Sequence, residues 1–73
     1  MLIIRCAKCK SKIMKYNKVG HGSILKCYFN RIEKKFVNTE SDLRCTCGNK
    51  IGIKKDQYYK MIGKSFIYSG KIN

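Results

Sequence analysis

Two close pairs of cysteines constrain this chain more than any other feature: Cys6-Ala7-Lys8-Cys9 near its start and Cys45-Thr46-Cys47-Gly48 past its middle. The chain has 73 residues, a length at which a hydrophobic core alone barely holds a domain together. Its candidate core is Leu2, Ile3, Ile4, Ile13, Ile24, Leu25, Phe29, Phe36, Leu43, Ile51, Ile53, Met61, Phe66 and Ile67, with no Trp to thicken it. A single domain spanning 1–73 with so thin a core is expected to need a staple, either disulfides or a metal.

The cysteines favour the metal. Five of them fit a complete disulfide set poorly. The apolar run at Met1–Arg5 is too short for a signal peptide, and no run approaches a membrane span. A reducing compartment, cytoplasmic or nuclear, is therefore expected, and there cysteine pairs more often bind metal than each other. Zinc takes four thiolates in a tetrahedron, two from each of two tight turns, so Cys6, Cys9, Cys45 and Cys47 are the expected ligands of one Zn2+. Gly48 suits the sharp turn after the second arm, having no Cβ to clash at positive φ. A four-thiolate shell has no open position, so the zinc is expected to be structural. Cys27 is left over and reads as a small buried hydrophobe.

Between and beyond the arms the pattern is of short strands separated by turns, an all-β class of small antiparallel sheets. Strands are expected at 1–5, 11–16 and 24–31, the last with Leu25, Cys27 and Phe29 on one face. A strand at 34–37 is expected to pair with 24–31, and 58–62 with 64–68 to form a closing hairpin around Gly63. The segment 50–54 leaves the second arm, and 54–61 has room for a short helix. Each cysteine arm is followed by Lys and then Ile, a loose internal echo. Tyr28 and Tyr68 are expected inside, and one of Tyr58 and Tyr59 outside by alternation.

Charge is the second strong signal. Lys and Arg number 17 against 4 Asp and Glu, a formal balance of +13. Such a field favours polyanions, of which nucleic acid is the commonest in a cell. If the metal draws the arms together, Lys8, Lys10 and Lys12 of one and Lys50 and Lys54 of the other are expected on one basic surface. The tyrosines interleaved among them suit stacking on bases or on terminal base pairs.

Ile4-Arg5-Cys6-Ala7-Lys8-Cys9-Lys10 resembles the opening of the C-terminal regulatory domain of the RIG-I-like receptors. The segment Leu25–Arg31 is similar to that family's central strand, and Leu43–Gly52, with its Cys-x-Cys-Gly, resembles the way one receptor branch closes its site. Lys60–Ile67 resembles the strand that follows. The resemblance implies a zinc-stapled fold of the β-tent type that holds ends of double-stranded RNA in a basic groove. It implies that role for His21, Lys34, Lys35, Lys54, Lys55 and Lys60. Yippee-type and cereblon-type zinc domains are similar more distantly, and they recognise proteins or small ligands.

Catalysis has little support in the sequence. Glu33, Glu40, Asp42 and Asp56 form no acid/base pair, and neither a nucleophile constellation nor a phosphate loop is present. The expected function is nucleic-acid binding, RNA rather than DNA. The alternatives are a protein-interaction adaptor, such as a transcription-associated factor or a viral antagonist of a host protein, and a structural homodimer.

Overall fold

The structure is a computed structural model that describes residues 1–18, 24–37 and 41–70. Eight short strands follow one another: β1 (Leu2–Cys6), β2 (Lys12–Tyr16), β3 (Lys26–Tyr28), β4 (Ile32–Lys35), β5 (Leu43–Arg44), β6 (Lys50–Lys54), β7 (Tyr58–Met61) and β8 (Phe66–Gly70). They form two four-stranded antiparallel sheets, in the orders β4-β2-β1-β8 and β3-β7-β6-β5. The class is all-β, as the alternation of apolar and polar residues requires. No helix among the described residues is long and apolar enough to cross a membrane.

Burial follows the alternation closely in β1, where Leu2, Ile4 and Cys6 point inward. In β2, Ile13 and Met14 are both buried despite being adjacent. The cause is a bulge: Ile4 faces Met14 and Arg5 faces Lys12, which leaves Ile13 without a cross-strand partner and turns it inward. The inner faces of both sheets supply one core, which includes Leu2, Ile4, Ile13, Met14, Tyr16, Leu43, Ile51 and Tyr59. Phe29 packs edge-on against Tyr59 with ring centroids 4.9 Å apart. The residues 55–57 close a hairpin between β6 and β7, with the Lys55 N–H donating to the Tyr58 carbonyl, so 54–61 holds strand and turn instead of a helix.

The structure corrects the extent of one expected strand and two expected pairings. The strand expected over 24–31 is confined to Lys26–Tyr28 and gives way to a 3-10 turn at Phe29–Arg31. That turn carries the chain out of one sheet and into the other, so β4 pairs with β2 and not with the strand before it. The closing hairpin is absent for the same reason: β7 pairs with β3 and β6, whereas β8 pairs with β1. A turn between Ile62 and Ser65 makes that second crossing.

Side-chain placement shifts with these pairings. Leu25, Phe36 and Ile67 are exposed, because Ile24 and Val37 take the inward positions beside Leu25 and Phe36, and Ile67 lies on the outer edge strand. Tyr28 and Tyr68 lie on the surface, while Tyr59 is buried and Tyr58 half-buried.

Candidate metal centre

Each cysteine arm is the tip of a hairpin, the first between β1 and β2 and the second between β5 and β6. The two tips are built alike. The Cys6 N–H donates to the Ser11 carbonyl at 3.0 Å, and the Cys45 N–H to the Asn49 carbonyl at 2.9 Å. The Cys6 carbonyl accepts from the Lys10 N–H and the Cys45 carbonyl from the Gly48 N–H, both at 2.9 Å. Lys10 and Gly48 are in the left-handed region, with φ of 65° and 96°. An arginine precedes each arm and ties its tip: Arg5 Nη1 donates to the Lys10 carbonyl at 3.1 Å, and Arg44 Nη1 to the Gly48 carbonyl at 3.2 Å. Even the bulge recurs. Leu43 faces Gly52 and Arg44 faces Lys50, so Ile51 is left over and turned inward as Ile13 is.

The likeness of the arms brings their sulfurs together. Cys6 Sγ lies 3.6 Å from Cys47 Sγ, and Cys9 Sγ lies 3.3 Å from Cys45 Sγ. All four sulfurs fall within 4.8 Å of one another. A tetrahedron with metal–sulfur bonds of about 2.3 Å has edges of about 3.8 Å, so the set fits a single four-coordinate ion. Cys6 and Cys45 are buried, while Cys9 and Cys47 face solvent, which leaves the ion a short path in. Among the described residues, this is the group of His, Cys, Asp or Glu side chains placed to hold a metal.

Hydrogen bonds prepare the sulfurs for charge. The Lys8 N–H and the Asn49 amide both point at Cys6 Sγ, at 3.4 Å each. Burial opposes ionisation of Cys6, but the backbone of Cys9, the Asn49 amide and the backbone of Lys8 outweigh it and hold the thiol down at about 6. Ser11 draws Cys9 down through its hydroxyl and its backbone. Four sulfurs this close cannot all ionise without a cation among them. The Asn49 backbone pulls the Cys47 thiol down, yet burial and the neighbours Cys45, Cys6 and Cys9 prevail and push it up to about 11. Asn49 also donates to the Ser65 carbonyl at 3.0 Å, fixing the centre to the turn before β8. Sequence reasoning missed Asn49, Arg5 and Arg44. The signal for the arginines was present, since each arm reads Arg-Cys.

The lysines expected to share one face make separate local contacts. Lys8 and Lys10 do not alternate along a strand, because the tip that aims the sulfurs is a turn, and Lys10 Nζ folds back to the Ala7 carbonyl at 3.2 Å. Lys12 and Lys34 both hold their ammonium groups over Phe36, at 5.6 and 5.4 Å from the ring centre. Lys50 is paired with Asp42 at 2.9 Å. That ammonium and the Lys54 N–H hold the Asp42 carboxyl below its ordinary range. Lys34, Lys35 and Lys54 line a groove of about 360 Å³ between the sheets, with Phe29, Ile32, Glu33 and Tyr59. Lys35 Nζ donates to the Tyr59 hydroxyl there at 3.4 Å. Lys55 lines a neighbouring hollow with Lys54 and the acids Asp42 and Asp56. Lys60 faces the other way from Lys54, because Lys54 is paired with Tyr59 and successive residues of β7 alternate between faces. His21 lies outside the described residues.

Comparison with protein-family models, curated proteins and solved structures gives no match to this chain, so the resemblance to the RIG-I-like regulatory domain rests on the quoted sequence segments alone.

Proposed function

We propose that this chain is a zinc-stapled module that binds nucleic acid, RNA in preference to DNA. The observation that carries this reading is the balance of +13 together with the groove that Lys34, Lys35 and Lys54 line beside the partly buried Phe29 ring. Cations beside aromatic rings suit phosphate and base in one ligand. Cys6, Cys9, Cys45 and Cys47 hold the ion, and zinc is the metal that four thiolates at this spacing favour. When bound it supplies charge neutralisation and cross-linking, with no open position for catalysis. The preference for RNA draws on the resemblance to the RIG-I-like domain.

The test is binding of blunt double-stranded RNA, single-stranded RNA and DNA across a range of salt. Affinity is expected to fall steeply with salt as condensed counterions are released. Charge reversal by Lys34→Glu, Lys35→Glu and Lys54→Glu together is expected to weaken it. No binding to any of the three at low salt would sink the proposal.

A second reading, a protein-interaction adaptor, is favoured by one apolar hollow. Ile24, Leu25, Phe66, Ile67 and Tyr68 line it, and Leu25 is 69 % exposed. A partner captured through this patch in nuclease-treated extract, and lost with Leu25→Asp, would support that reading.

A further inference from the structure

β3 and β7 pair in register, with Lys26 opposite Lys60, Cys27 opposite Tyr59 and Tyr28 opposite Tyr58. Cys27 and Tyr59 are buried, so alternation sends the other two pairs outward as a block of two tyrosines and two lysines. The Tyr28 and Tyr58 rings lie side by side, 5.5 Å apart and inclined at 54°. Lys26 Nζ sits 5.0 Å from the centre of the Tyr58 ring, and the Arg31 guanidinium 5.6 Å from that of Tyr28. Tyr28 is 36 % exposed, in a chain whose thin core had use for another aromatic.

Two features of this block go against stability. Like charges directly opposite each other on a sheet are unfavourable, and here Lys26 faces Lys60 with Arg31 close to the same pair of rings. Aromatic surface left in water also forgoes burial. An anion carrying flat aromatic groups removes both penalties at once. Beside Tyr28, a hollow of about 310 Å³ is walled by Phe29, Asn30, Asp56 and Gln57. Its amides and carboxylate suit the hydrogen-bonding edge of a base, while Asp56 repels phosphate toward Lys26 and Lys60.

We infer that this outer face binds single-stranded RNA, with one base of two adjacent nucleotides against each of Tyr28 and Tyr58 and the phosphates along Lys26, Lys60 and Arg31. The inference rests on the nucleic-acid reading above and names the form of nucleic acid. The inclination of the rings decides between forms. A duplex end presents one flat base pair, which cannot lie on two surfaces inclined at 54°. Unpaired bases turn independently and match each ring separately.

The experiment measures anisotropy of labelled oligouridylate and of a blunt RNA duplex with the metal-loaded full chain. Tyr28→Ala and Tyr58→Ala are each expected to weaken oligouridylate binding about tenfold or more. Tyr28→Phe and Tyr58→Phe should retain most of it, since the ring is kept. Lys26→Ala with Lys60→Ala should lower both the affinity and its dependence on salt. The chain has no Trp, so its tyrosine emission reports stacking in the unmodified protein and should be quenched by oligouridylate. Oligouridylate binding that ignores both alanine variants and leaves tyrosine emission unchanged would overturn the inference while the wider reading stands. So would tighter binding of the duplex than of the single strand. Failure of the unmodified chain to bind any RNA or DNA would overturn both.

Discussion

Tyr16 belongs to β2, yet its hydroxyl bonds to two backbone groups on β3 of the other sheet: the Lys26 carbonyl at 3.4 Å and the Tyr28 N–H at 3.0 Å. The phenol therefore joins the sheets, and burial raises its pKa. Tyr16→Phe keeps the ring and strands both backbone groups. Because β3 is an edge strand that water can partly reach, the expected cost is about 1–2 kcal/mol, read from the urea unfolding midpoint. Faster exchange of the Tyr28 amide should accompany it. Cys27 shows the opposite kind of residue, one whose chemistry is switched off. Burial pushes its thiol from an ordinary value near 9 up to about 12. Between those values the unfolded chain has lost this proton and the folded chain has kept it, so the unfolded state binds fewer protons and stability falls as pH rises. Below pH 9 the residue contributes no slope. The stability advantage of the parent chain over Cys27→Ala should therefore be constant up to about pH 9 and narrow above it, as paired urea titrations would record. The buried hydrophobe expected of Cys27 is what the structure shows, because its strand neighbours left only an apolar side to occupy.

The two cysteine hairpins match in register, bulge, backbone bonds and arginine tie, but not in the residue at the left-handed position. One has Gly48 and the other Lys10. An L-residue there costs about 1–2 kcal/mol, which glycine escapes. Gly48→Ala, with open space around its Cβ, is expected to lose about that much purely as backbone strain. Lys10→Gly is expected to be neutral or mildly stabilising, since the strain relieved offsets the greater freedom of the unfolded chain. Thermal unfolding of the two metal-loaded variants would read these opposite signs, and an equal loss in both would contradict the equivalence of the hairpins. The echo of Lys and Ile after each arm was visible in the sequence and proves to mark this shared hairpin. The bulges were not visible, since Ile13-Met14 and Ile51-Gly52 look like ordinary breaks in alternation. The connections misled more. Reading 24–37 and 58–68 as hairpins assumed that neighbours in sequence pair. Both segments cross between sheets, through Phe29–Arg31 and the turn at Ile62, and nothing in their local composition separates a crossing from a hairpin. The cysteine site was legible because its geometry is local to each arm. The run of Lys8 and Lys10 was not read correctly, because the tip that aims the sulfurs is a turn and not an extended segment.

Polar contacts among the described residues reinforce the core that joins the two sheets. Besides the apolar core there are the Tyr16 phenol, the Lys35–Tyr59 bond, and the cluster where Asn49 and the Ala7 N–H reach Ser65 beside the four sulfurs. The strands are short; β5 has only two residues, and its hairpin is closed by the cysteine tip itself. Four sulfurs within 4.8 Å repel as they ionise, so an ion held among them would tie shut what their charges push open. Metal affinity is folding free energy in such domains, about 10–16 kcal/mol in small structural zinc sites, more than a core this size supplies as net stability. Removing the metal with a strong chelator at neutral pH is expected to collapse the dispersed amide spectrum of the whole chain, not of the two tips alone. Alkylation followed by mass spectrometry gives a sharper reading of the same event. The metal-loaded protein should resist modification at all five cysteines, Cys27 by burial and the rest by coordination. After chelation all five should react together, and zinc added before the reagent should restore protection. Modification of four with Cys27 still protected would mean that the core of this basic domain survives without its metal.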